Sequence, residues 1–183
     1  TQKMAYPWDG TINLQFEKTP VKSFPVFLRI PGWCHNAKML VNGKLIRTKT
    51  NGGEYAEVKR TWRKGDQLQL LLDMPVTMIE ANPLVEETRN QITVKRGPVV
   101  YCLESVDLNK NTSVFGVGIP TNAQFKIAPI KIDNSNIVSL QTTAQKLDNG
   151  QWKDQLYKEV SKRPAEKINV RLVPYYAWGN RGH

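Results

Sequence analysis

Hydrolytic acid/base chemistry needs two carboxyl groups roughly 5 to 9.5 Å apart across a cleft, so paired acids are the first residues to test. Glu86-Glu87 is the closest pair in the sequence. Read as part of a strand, it sends its two side chains to opposite faces. Glu54 and Glu57 are three apart and also fall on opposite faces. Neither spacing makes a dyad by itself; carboxylates brought together by the fold remain the open alternative. Cys34-His35 is the only adjacent Cys/His pair, and the other histidine is His183, so a thiolate nucleophile lacks an oriented base. Asp107-x-Asn109-x-Asn111 repeats the first three ligand positions of a calcium loop. The match then fails, with Thr112 at the sixth position, Gly118 at the twelfth and Lys110 adding positive charge. A polar loop is the plainer reading. Cys34 and Cys102 have no zinc-ligand spacing; they read as small buried thiols in strands, with a single bridge as the alternative.

Anion binding is the other chemistry the composition raises, since the 183 residues carry a net charge of +10. The excess is spread, at +4 over residues 1–92 and +6 over 93–183, so neither half is a basic tail. Lys59-Arg60-Thr61-Trp62-Arg63-Lys64 is the one dense run, and Trp62 could serve it as a stacking platform for nucleic acid. Gly65-Asp66 follows at once, which favours a solvated turn between two strands. Nucleic acid is therefore not expected as a partner. Neither is a membrane, because no apolar run approaches the roughly 18 residues of a span. With 40% hydrophobic and 23% charged residues, the chain reads as globular.

The elements that must position these groups are strands. Ile12, Leu14 and Phe16 alternate with Asn13, Gln15 and Glu17, the period of a half-buried strand. The same period recurs at Leu68-Leu70-Leu72, Ile92-Val94, Val138-Leu140 and Ile168-Val170-Leu172. Val26–Ile30 and Met39–Val41 add two more strands. Asn42-Gly43 after the latter predicts a tight hairpin, because both turn centres need positive φ. Eleven prolines and many Gly, Asn and Asp breaks fit short strands with blunted edges. The predicted fold is all-β, an antiparallel jelly-roll-like sandwich with very little helix. Composition changes after Glu104, so residues 1–104 are expected as a first lobe and 105–183 as a second lobe or as completing strands.

Six ordered clusters then carry a resemblance: Leu28–Trp33, Val41-Asn42-Gly43, Tyr55, Trp62–Asp66, Arg96–Glu104 and Pro174–Arg181. Together with Tyr6-Pro7-Trp8-Asp9-Gly10 at the start, they resemble the carboxy-terminal β region of glycoside hydrolase family 127, which includes β-L-arabinofuranosidases. The resemblance implies that catalysis belongs to an amino-terminal α/α toroid, where a zinc-bound cysteine thiolate and a glutamate lie in Glu-x-Cys and Cys-Cys contexts. This sequence has neither context, so no catalytic, cofactor or metal residue is carried over. It implies a piece of a longer enzyme, periplasmic or secreted, whose zinc lies outside this chain. The expected role is a noncatalytic module that packs against and supports the toroid.

Five aromatics of these clusters are the candidate site residues. Trp8, Trp33, Trp62, Tyr101 and Trp178 could form core, a surface docked on the toroid, or a platform for plant-type oligosaccharides. The last option would make the chain a carbohydrate-binding module. Arg29, Arg96 and Arg181 lie among apolar neighbours, where burial requires a carboxylate or carbonyl partner; Glu104 and Asp107 are the available acids. Asp66 is expected to accept from turn amides, and Gly32, Gly43 and Gly65 to occupy turn conformations closed to other residues.

Overall fold

The structure, a computed structural model, describes residues 1–132, 134–147, 156–157, 159 and 165–181; His183 lies outside them. Among the described residues its regular elements are strands and four three-residue 3-10 turns, and each strand pair of known register is antiparallel. The chain divides into two compact units. The first comprises Thr1–Val76 with Arg96–Pro98, the second Thr77–Lys95 with Val99–His183. Glu104, where the composition changes, therefore lies inside the second unit.

The first unit contains β1 (Gln2–Met4), β2 (Thr11–Gln15), β3 (Phe24–Arg29), β4 (Ala37–Val41), β5 (Lys44–Ile46), β6 (Tyr55–Arg60) and β7 (Gln67–Leu72). They form one sheet in the order β1-β2-β7-β4-β5 and a two-stranded sheet β3-β6. Alternation sets which face is buried: Leu68, Leu70 and Leu72 of β7 and Met39 and Val41 of β4 meet Ala56 and Val58 of β6 in one core. Full burial of each large side chain there contributes about 1.5–3 kcal/mol. The β4–β5 hairpin closes at Asn42 and Gly43, both at positive φ (50° and 76°), with Val41 opposite Lys44. Gly65 is also left-handed, at 91°, but Gly32 is not, so its turn does not require glycine. Asp66 caps its turn by accepting from the Arg63 amide at 2.9 Å.

The second unit is built on a seven-stranded sheet from β8 (Val76–Glu80), β9 (Ile92–Arg96), β10 (Val99–Leu103), β11 (Val117–Gly118), β12 (Lys126–Ile132), β13 (Ser135–Leu147) and β14 (Ala165–Pro174). The order runs β11-β13-β14-β10-β9-β8, with β12 also paired to β13. Leu140, Thr142 and Ala144 of β13 and Val170 and Leu172 of β14 are buried on one face. Pro25 in β3 and Pro129 in β12 each sit in a strand paired on one side, where a missing N–H is tolerated. Two local expectations change. Glu86–Thr88 is a 3-10 turn, not strand, with Glu86 paired to Arg89. Ile92 is largely exposed although Val94, on the same face, is buried.

Candidate functional site

The most elaborated site follows β14. Pro174 is buried and ends the strand, and Tyr175–Ala177 then forms a 3-10 turn whose Ala177 faces inward. Side chains at i and i+3 of such a turn eclipse, which brings Tyr175 over Trp178. Their rings stack with centroids 6.2 Å apart and planes within 7°, and each residue is 61% exposed. Tyr176 beside them is exposed too. Tyr175 also lines an apolar groove of about 700 Å³, walled by Val100, Cys102, Val114, Phe115 and Ile119.

A buried ionic clamp anchors this turn. Arg181 Nη1 and Nη2 donate to the two oxygens of Asp107 at 2.9 and 2.6 Å. Its Nε donates to Glu104 Oε2 at 2.9 Å, and Nη2 reaches the same oxygen. The second Glu104 oxygen accepts the Gly179 amide at 2.9 Å, with Gly179 left-handed at φ 77°. The acid side chains are only 5% and 8% exposed. Hydrogen bonding to Asp107 raises the Arg181 pKa above its ordinary value; burial opposes this and Glu104 adds to it. Planar, forked donation of this kind is what guanidinium supplies and ammonium does not.

Next to the clamp, burial, reinforced by the Glu104 charge, pushes the Cys102 thiol up to about 11. Iodoacetamide alkylation of Cys102 is expected to stay slow at pH 8, with a rate profile inflecting near 11 and not at the roughly 8.5 of a free thiol. An inflection near 8.5 in the folded chain would contradict this. The unfolded chain releases that proton first, so folding loses stability as pH rises from about 8.5 through the folded value.

The five aromatics from the sequence divide between the two units, three in the first and two in the second. Trp62 is 1% exposed, stacked on Phe16 with centroids 4.2 Å apart, and its indole N–H donates to the Phe24 carbonyl at 3.3 Å. Tyr101 is buried in β10, Trp8 and Trp33 are half-buried in the first unit, and Trp178 is exposed in the second. Because Trp62 is core, the Lys59–Lys64 run presents no stacking platform; Arg60 lies over the Trp62 ring, 5.1 Å from its centroid, and near Asp66. Of the three arginines, Arg181 takes both available acids. Arg29 donates to the Gly53 carbonyl and covers Tyr55, while Arg96 donates to the Trp8 carbonyl. Asp107, first residue of the calcium-like spacing, has both oxygens committed to Arg181. Cys34 and Cys102 are free thiols, and Cys34 sits in a turn, not a strand.

Zinc–thiolate chemistry does not fit these residues. Burial raises the Cys34 thiol as it does Cys102, and among the described residues no three His, Cys, Asp or Glu cluster as a metal site. Tyr175 and Tyr176 escaped the sequence reading. Their signal was Tyr-Tyr between Pro174 and Trp178, at the i,i+3 spacing of a single tight turn.

Fold and site define a two-unit, all-antiparallel β module that displays an aromatic turn. The chain belongs to glycoside hydrolase family 127. Residues 1–74 match the β-L-arabinofuranosidase GH127 middle domain and residues 76–183 the glycoside hydrolase family 127 C-terminal domain. It is 32% identical over 195 aligned positions to a non-reducing end β-L-arabinofuranosidase of Bifidobacterium longum subsp. longum, covering 98% of this chain and 28% of that protein. A solved glycoside hydrolase shares 42% identity at a TM-score of 0.91, over 100% of this chain and 30% of that one. A GH127 β-L-arabinofuranosidase from Geobacillus stearothermophilus T6 shares 34% at 0.86, over 100% and 28%. The chain thus spans about 30% of the length of these relatives.

Proposed function

We propose that this chain is the noncatalytic middle and C-terminal β region of a glycoside hydrolase acting on β-L-arabinofuranosides, and that it packs against and supports a separate catalytic domain. The carrying observation is the pair of family matches, which assign the whole described fold to the middle and C-terminal domains. The acids support it: Glu104 and Asp107 share one guanidinium, that of Arg181, and are not poised across a cleft. The isolated 183-residue chain is expected to release no sugar from aryl β-L-arabinofuranosides. Sustained turnover, abolished by substituting one of its own carboxylates, would overturn the reading.

The parallel Tyr175–Trp178 pair favours a second reading, a carbohydrate-binding surface, since each exposed ring offers a flat apolar face to a sugar. Arabino-oligosaccharides should then quench tryptophan fluorescence in the same preparation, and Trp178→Ala should abolish the response. Unchanged fluorescence at saturating sugar would remove this reading.

A further inference from the structure

The strand register of the second unit builds a row that the sequence does not display. Lys126 of β12 stands opposite Gln141 of β13, and Gln141 stands opposite Arg171 of β14. Directly opposed residues share a face, so the three side chains rise side by side. Two inter-strand spacings separate the backbones of the two cations by about 10 Å. Thr143 and Asn169 form the next row on that face. These five residues, with Gln124, line an open groove of about 750 Å³.

Among the described residues, no acid compensates the charges of this row. Neither Lys126 nor Arg171 has a carboxylate partner among the described residues, and Arg171 Nε is buried without any hydrogen-bond partner among them. A buried guanidinium N–H left unpaired is costly, and such groups are ordinarily satisfied. Asp107, the one acid lining the groove, is already bound to Arg181 through both oxygens. Among the described residues the groove therefore presents net positive charge from one half-buried and one exposed cation, interleaved with neutral amides and a hydroxyl.

We propose that this groove binds a carboxylated sugar unit, with its carboxylate on Arg171 and Lys126 and its hydroxyls on Gln141, Asn169, Thr143 and Gln124. A guanidinium fork suits a carboxylate, and side-chain amides both donate to and accept from sugar hydroxyls. The site lies on a sheet face, so its donors are held by strand pairing and not by a loop. The sugar part of the proposal rests on the chain being a module of a glycan-acting protein. The anion part rests on the row alone.

The test is calorimetric titration of the 183-residue chain with a trimer of galacturonic acid, with the methyl ester of that trimer, and with inorganic sulfate. The acidic trimer is expected to bind, weakening as salt is raised. The ester, which keeps the shape and loses the charge, should bind about tenfold or more weakly. Arg171→Met should reproduce that loss while retaining the wild-type unfolding midpoint, since it removes an unpaired charge and keeps the apolar stem. Lys126→Met, at an exposed position, gives a second reading free of folding effects and should weaken binding by a smaller factor. Equal affinity for acid and ester, or binding unchanged in both variants, would overturn the proposal, as would absence of binding by the trimer. Sulfate binding that the trimer does not displace would also overturn it, by showing a site for a bare anion. None of these outcomes alters the arabinofuranoside assay, which reads turnover and not occupancy of this groove.

Discussion

Replacing Arg181 with Met is expected to destabilise the second unit by about 3–5 kcal/mol, the cost of leaving buried charges without their counterion. Glu104 and Asp107 would lose every guanidinium hydrogen bond, retaining between them, among the described residues, only the Gly179 amide. Desolvation cannot be relieved by a rotamer change when both acids are nearly enclosed. The measurement is the urea midpoint of the isolated chain. Arg181→Lys should recover only part of the loss, because an ammonium cannot donate in a planar fork to two carboxylates. The triple variant Glu104→Gln, Asp107→Asn, Arg181→Met should be more stable than Arg181→Met alone. If it is not, the deficit comes from lost packing and the electrostatic account fails.

Trp62→Ala is the second large effect, at about 3–5 kcal/mol for an aromatic cut from a core to a methyl. Trp62 belongs to the first unit's core, stacks on Phe16 and donates to the Phe24 carbonyl through its indole. Three losses thus coincide: apolar burial, the ring–ring contact and a partly buried hydrogen bond. Arg60, which lies over the ring, would lose that surface as well. Trp62→Phe separates the terms, since it keeps much of the burial and the stack but drops the N–H donor, and should cost about 1–3 kcal/mol. Thermal unfolding followed by circular dichroism compares the two, and a Phe variant as damaged as the Ala variant would show that the indole N–H, and not apolar burial, carries the stability.

Much of the strand framework was legible because β structure writes a two-residue period into the chain. Leu68-Leu70-Leu72 faces the core as its alternation requires, and Asn42-Gly43 closes the hairpin that its positive-φ preference demands. What alternation cannot supply is register, the sole source of the Lys126–Gln141–Arg171 row, whose members are up to 45 positions apart. The Arg181 clamp was half legible. Burial pressure on an arginine implied an acid, but the pairing with Glu104 and Asp107 depends on how the turn after β14 meets the segment after β10. Glu86-Glu87 shows the converse failure: a strand-based argument about its faces lapsed because Pro83 and the 3-10 turn at Glu86–Thr88 interrupt the sheet. The aromatic turn was missed at Tyr175 because its neighbour in space is three residues ahead, a relation that a strand period hides and a tight helical turn creates.

The Arg96–Pro98 tip has a bearing on heredity. The family match changes between residues 74 and 76, at one point of the chain, yet the first compact unit reclaims three residues from beyond it. Within that unit Arg96 holds the Trp8 carbonyl, and a Cβ on Gly97 would come 2.4 Å from Met74 Cε. A recombination event that swapped the downstream domain at that single seam would carry off the tip and leave Trp8 and Met74 facing whatever residues the new arrival brought. The two domains are thus expected to be inherited as a pair, passing between genes together more readily than either passes alone.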